Sequence, residues 1–222
     1  MDLEFWRNTY SLTMKLVNIA LYVNVGYASF LFPKIKNQYK YIYFYILGSM
    51  LFELVSLSVM QMDETSSYFK YVDYFFGLFE TTFLYLFIIK SFPHSKVLRI
   101  AIALNSTLIA LFFIFYFISN SSAEAESFNA FLSLIHLFLI LIALFESSLM
   151  NPSKRFFRSP VNIILVSFLV AYSMLIAVFF LIQDIIEYSR IIANQVYILK
   201  HSIGILFYFL ISYGLKKSIS KT

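Results

Sequence analysis

Seven apolar runs, each about as long as a membrane is thick, dominate this chain and leave little room for anything else. They cover residues 10–32, 41–62, 71–89, 98–118, 130–150, 161–182 and 196–215. About 20 consecutive apolar residues in a helix cross the hydrocarbon core of a bilayer. With no water at that depth, backbone N–H and C=O groups must pair within the segment, which demands helix rather than open sheet. The expected fold is therefore all-α: a polytopic membrane protein, one seven-transmembrane-helix bundle over residues 1–222. Composition agrees, since 60% of residues are hydrophobic and 13% charged, against roughly a quarter charged in ordinary soluble domains. No length is left for a soluble nucleotide-binding or nuclease domain, and no glycine-rich phosphate loop occurs.

The start of the chain argues for a retained first helix. Asp2 and Glu4 stand where a cleavable signal peptide carries basic residues, and the following run has full span length. The absence of cysteine excludes disulfides, haem attachment and thiolate metal sites.

Orientation follows from the basic residues. Of the 17 Lys and Arg residues, twelve lie in the loops after the first, third and fifth runs and in the C-terminal tail: Lys34, Lys36, Lys40, Lys90, Lys96, Arg99, Lys154, Arg155, Arg158, Lys216, Lys217 and Lys221. The opposite side holds Arg7, Lys70 and Arg190, and Lys15 and Lys200 fall inside runs. Short basic loops stay in the cytoplasm. The expectation is a periplasmic N-terminus and a cytoplasmic C-terminus. The same distribution accounts for the net charge of +5, so no nucleic-acid partner is expected; the bilayer itself is the first partner.

Ionisable side chains at membrane depth cost several kcal/mol unless paired, neutralised or hydrated, so each marks a site or a structural device. At about 1.5 Å of rise per residue, Glu53 and Glu80 fall near the midplane on consecutive helices. Lys15, His136, Lys200 and His201 fall about 8–10 Å below the outer surface, and Asp73 is shallower. Residues three, four or seven apart share a helix face. On that spacing Ser11, Lys15, Asn18, Tyr22 and Ser29 group on the first helix, Ser49, Glu53 and Ser56 on the second, and Asp73, Gly77 and Glu80 on the third. Ser133, His136 and Ser147 group on the fifth, and Tyr197, His201, Gly204, Tyr208 and Ser212 on the seventh. The fourth and sixth helices add little beyond Asn105 and Tyr172. The expected site is an outward-facing polar core that binds a small molecule or ion through Glu53, Glu80, Lys15, Asn18, Asp73, His136, Lys200 and His201. Two ammonium groups at one depth on the first and last helices repel one another. At least one lysine is expected to turn inward to a carboxylate or an anionic ligand, and Lys200, next to His201, suits that role better than Lys15.

Competing readings of these residues remain open. Ser and Gly at helical spacing also serve plain helix packing. A buried carboxyl is also stable as a neutral, hydrogen-bonded group, and a lysine near a surface can snorkel to it. Zinc chemistry would draw on His136, His201, Glu53 and Glu80, but the chain has three histidines in all and none are four apart. A retinal-type Schiff base at Lys200 would sit too close to the helix end. Proton-coupled transport through Glu53 and Glu80 lacks the paired repeats or broken helices of many transporters. No cofactor is named by any motif.

The stretch Leu51-Phe52-Glu53-Leu54, followed after a short loop by Leu78-Phe79-Glu80, resembles a group of uncharacterised seven-helix inner-membrane proteins of Bacteroidota. Residues 151–181 are similar to their basic loop and sixth helix, with Asn151-Pro152 and Phe156-Phe157 where Asp-Pro and Phe-Trp are frequent there. Val196-Tyr197-Ile198-Leu199-Lys200-His201-Ser202 is similar to their seventh helix. The resemblance covers the second to seventh helices. It implies a bacterial inner-membrane location and family positions at Glu53, Glu80 and His201, and it supplies no activity. The functional expectation is a sensor or signalling subunit that acts through a cytoplasmic or membrane partner, with a small-solute or proton-coupled transporter and an intramembrane metal-dependent hydrolase as alternatives.

Overall fold

A computed structural model of the chain describes residues 3–62, 68–119, 123–150 and 156–219. Among these, seven long helices run in order: α1 (Leu3–Leu31), α2 (Asn37–Met62), α3 (Tyr68–Ser91), α4 (Lys96–Ser119), α5 (Ala123–Met150), α6 (Pro160–Tyr188) and α7 (Arg190–Ile219). The protein is an all-α membrane helix bundle. By length and apolarity α1 and α3 to α7 are each able to cross a bilayer. The remaining helix, α2, has 26 residues and lies between α1 and α3.

Every helix is longer than its apolar run. Apolarity marks the part in lipid, whereas backbone pairing continues into the polar zone on either side. The effect is greatest between α6 and α7. The loop expected around Asp184 to Arg190 is instead helix, interrupted at Ser189, whose backbone is extended (φ −162°, ψ 117°). Ser189 N–H still bonds the Ile185 carbonyl at 2.8 Å, and the Ala193 N–H bonds the Ser189 carbonyl at 3.1 Å. One extended residue is thus enough to turn the chain. Elsewhere the local chemistry of the ends is familiar. Ser95 accepts the Leu98 N–H on its hydroxyl at 3.2 Å, capping α4, and Pro160 opens α6 where no intrahelical N–H is required.

The helices close into a ring in which α1, α2, α3, α5, α6 and α7 each touch the next and α7 returns to α1; α4 packs outside, against α5 and α3. The outer position of α4 explains its exposed Ile100, Leu104, Leu108, Leu111 and Ile114, a face suited to lipid. It is joined to α5 by the stacked rings of Phe112 and Phe131, 3.8 Å between centroids.

The two ends of the bundle differ inside. Toward the end that holds the α1–α2 and α5–α6 connections, Ile42, Ile46, Leu84, Phe87, Ile88, Leu139, Ile140, Ala143, Ile164, Leu165 and Ile211 are all 0% exposed. This layer is apolar and close-packed. At its rim Ser147 donates to Asn162 Oδ1 at 2.6 Å, and Asn162 Nδ2 donates to the Phe156 carbonyl at 3.1 Å. Toward the opposite end, the helices separate around polar side chains.

Candidate functional site

The separation forms a cavity of about 510 Å3. Ser49, Phe52, Glu53 and Ser56 of α2 face it, as do Phe76, Gly77 and Glu80 of α3. Asn129, Ser133 and His136 come from α5, Tyr172 and Phe179 from α6, and Tyr197 and Lys200 from α7. A smaller chamber of about 200 Å3 adjoins it, sharing Ser49, Phe76, Glu80, Tyr172 and Lys200 and reaching His201, Gly204 and Tyr208 of α7. Helical spacing explains the shared wall: Ser49, Glu53 and Ser56 lie on one face of α2, and Gly77 and Glu80 on one face of α3.

Three polar side-chain pairs build the walls. Asn18 Nδ2 on α1 donates to Glu53 Oε1 at 3.0 Å. Tyr45 on α2 donates its hydroxyl to Glu80 Oε1 on α3. Thr81 Oγ1 lies 2.9 Å from His136 Nε2 and 2.7 Å from the Gly77 carbonyl. A hydroxyl has one proton. With that proton on the Gly77 carbonyl, Thr81 accepts from Nε2–H, and the His136 Nδ1 lone pair stays open. His136 Nδ1 is buried and has no hydrogen-bond partner among the described residues. Aromatic rings close the base: His136 and Tyr172 are 4.9 Å apart by centroid, Tyr45 and Phe168 4.9 Å, and Phe168 and Phe207 5.2 Å.

Comparison with family models, curated proteins and solved structures finds no match.

The side chains singled out from the sequence are distributed as follows. Glu53, Glu80, His136 and Lys200 line the main cavity, and His201 lines the smaller chamber. Lys200 Nζ also lies 5.8 Å from the centre of the Tyr197 ring. Asn18 stands behind the wall, on Glu53. Lys15 is exposed on α1. The Asp73 side chain lies outside the described residues. Among the described residues, no three His, Asp or Glu side chains come together as a metal-binding group.

The polar stripe expected on the first helix is split. Asn18 turns inward, while Lys15, Tyr22 and Ser29 are exposed. The buried face is Leu21, Asn24, Val25 and Ala28, roughly 100° around the helix from that stripe. Ser147 of α5 faces Asn162 at the far end of the bundle instead of the cavity. Sequence reasoning passed over Tyr45, Thr81 and Asn129. Thr81 was readable: it is four residues after Gly77 and next to Glu80. Asn129 was not, because it falls in what looked like a loop. The sixth helix contributes more than expected, adding Leu175 and Phe179 to Tyr172.

Proposed function

We propose that this chain is a seven-span receptor subunit of a bacterial inner membrane, with its N-terminus outside and its C-terminus in the cytoplasm. Its cavity admits a small polar molecule or ion from the outside, and occupancy alters helix packing that a cytoplasmic or membrane partner reads. The resemblance to seven-helix proteins of Bacteroidota fits that location. The observation that carries the reading is the one-ended shape of the interior. Glu53, Glu80, His136 and Lys200 line the cavity near one end, and a layer of fully buried aliphatic and aromatic side chains fills the other. A polar solute crossing that layer would lose its hydration without gaining partners, at a cost of several kcal/mol. A pocket that fills and empties on one side suits sensing.

The alternative is a proton-coupled transporter, favoured by the two carboxylates Glu53 and Glu80 in one cavity. It requires a second arrangement in which the apolar layer opens.

The absence of cysteine makes the two readings separable with single substitutions. Ser56→Cys, on the cavity wall, is expected to react with a membrane-impermeant thiol reagent added outside and not with one added inside. Ala143→Cys, within the apolar layer, is expected to react from neither side. Reaction of Ala143→Cys from the cytoplasm, together with Ser56→Cys from outside, would replace the receptor by the transporter. Reaction of Ser56→Cys from the cytoplasm alone would reverse the orientation.

A further inference from the structure

The three basic residues on the sparsely charged side of the membrane are not scattered. Two of them, Arg7 and Arg190, meet in a groove of about 670 Å3 between α1 and the α6–α7 corner. Basic residues are depleted on the outer face of inner-membrane proteins, so their convergence there needs a cause. A groove at the opposite end holds Lys40 and Lys90, but retention of positive charge in the cytoplasm accounts for those two lysines without a ligand.

The outer groove is graded in polarity. Arg7 and Arg190 are both exposed, and neither bonds to or pairs with another described side chain. Tyr10 and Tyr197 line it next, with ring centroids 5.7 Å apart, as amphipathic rings do at the level of lipid headgroups. Met14 and Ile186 add exposed apolar surface, and Ser11, Ala193 and Asn194 line the remainder. Met14 is seven residues beyond Arg7, about 10 Å further along the helix. A soluble anion would use the guanidinium groups and leave the apolar part wet. An amphiphile with a phosphate head and hydrocarbon tail uses all of it, and guanidinium is the cation best shaped for two-point binding of phosphate.

We propose that this groove binds the phosphodiester headgroup of an anionic phospholipid of the outer leaflet, held by Arg7 and Arg190. Tyr197 belongs to both this groove and the central cavity, so lipid occupancy bears on the cavity wall. The site rests on the outward placement of the N-terminus for its choice of leaflet, and on nothing about the ligand of the central cavity.

The test uses the full chain in nanodiscs of phosphatidylcholine with increasing phosphatidylglycerol, reading thermal unfolding. Both leaflets are then alike, so the outcome does not depend on orientation. Phosphatidylglycerol is expected to raise the unfolding temperature of the wild type. Each basic residue at a membrane surface contributes about a fivefold preference for anionic lipid. Arg7→Gln with Arg190→Gln should therefore need on the order of twenty-five times more phosphatidylglycerol for the same rise. Lys216→Gln with Lys217→Gln, which removes general surface attraction but no residue of the groove, should shift the requirement by less than the arginine pair does. If the glutamine pair fails to fold, Arg7→Gln alone is expected to need about five times more. An undiminished response in the arginine variants, or an equal or larger shift in the lysine pair, would overturn the proposal. So would an equal rise from glycerol phosphate in pure phosphatidylcholine, which would make the ligand a soluble anion.

Discussion

Tyr45 on α2 donates its phenolic proton to Oε1 of Glu80 on α3. The same relation recurs one helix earlier, where Asn18 Nδ2 on α1 donates to Oε1 of Glu53 on α2. Each of these two carboxyl groups thus meets a neutral donor on the preceding helix. A neutral donor satisfies an oxygen without adding a second ion to be taken out of water, and so avoids the desolvation cost of a buried ion pair. It also links α1, α2 and α3 through side chains, in a part of the ring where α1 and α2 touch less extensively than α1 and α7.

Removing the donor should therefore cost more than neutralising the acceptor. Tyr45→Phe leaves a Glu80 oxygen without its bond, and about 1–3 kcal/mol of stability is the expected loss. Glu80→Gln keeps an acceptor for Tyr45 and should lose less. Tyr45→Phe with Glu80→Leu should lose less than the two single changes added together, since no orphaned group remains. Thermal unfolding in a mild detergent measures all of these. Equal stability of Glu80→Leu and Glu80→Gln would show that the bond contributes nothing.

The glycines divide by what a methyl group would meet. A Cβ at Gly77 would lie 2.6 Å from Leu132 Cδ1, inside the close contact of α3 with α5 on the cavity wall. Gly77→Ala is expected to destabilise by about 1–3 kcal/mol through overpacking. Gly204, on the wall of the smaller chamber, has its nearest neighbour at 3.6 Å, on Val17. Gly204→Ala should leave the unfolding temperature nearly unchanged. The reverse order in the same unfolding assay would mean that α3 and α5 are not packed in this way.

The helices were legible because lipid imposes one requirement, a long apolar helix: all seven runs are helical, and six of the helices are long and apolar enough to cross a bilayer. The helix ends were less so, because α1 and α7 continue into polar sequence at Glu4 and Arg190, where apolarity no longer reports on backbone pairing. The cavity was legible on α2, where Ser49, Glu53 and Ser56 share a face, and at His136 on α5. On α1 the spacing rule found a stripe but not its direction. Lys15, Asn18 and Tyr22 fit one face, yet Asn18 alone of these turns inward, since the packed edge of α1 is set by contacts with α2 and α7 that no local pattern encodes. Asn24, 2% exposed, was missed for the same reason; its Nδ2 donates to the Tyr208 carbonyl of α7.

Orientation can be read directly. A reporter active only in the periplasm, fused after Ser122, and one active only in the cytoplasm, fused after Thr222, are both expected to work. The opposite pair of activities would place the cavity and the arginine groove on the cytoplasmic side and undo the receptor reading.

The two intramembrane lysines should respond differently to loss of charge. Lys15 is exposed on α1, within reach of the headgroup layer by snorkelling. Lys200 is half-buried and lines both chambers. It supplies the one ammonium among the described residues around the main cavity, where Glu53 and Glu80 supply carboxyl groups. Lys15→Met should change stability by no more than about 0.5 kcal/mol, as surface replacements do. Lys200→Met removes positive charge from a cavity that keeps both acids, and a loss of about 1–3 kcal/mol is expected. Adding Glu53→Gln to Lys200→Met should return part of it, because the excess negative charge falls by one. Thermal unfolding of the three variants, with the wild type as reference, decides the matter. If Lys15→Met and Lys200→Met are equally mild, Lys200 does not balance the cavity acids. If Glu53→Gln deepens the loss instead of relieving it, the Asn18–Glu53 bond outweighs the charge balance, and Glu53 serves the α1–α2 contact first and the cavity second.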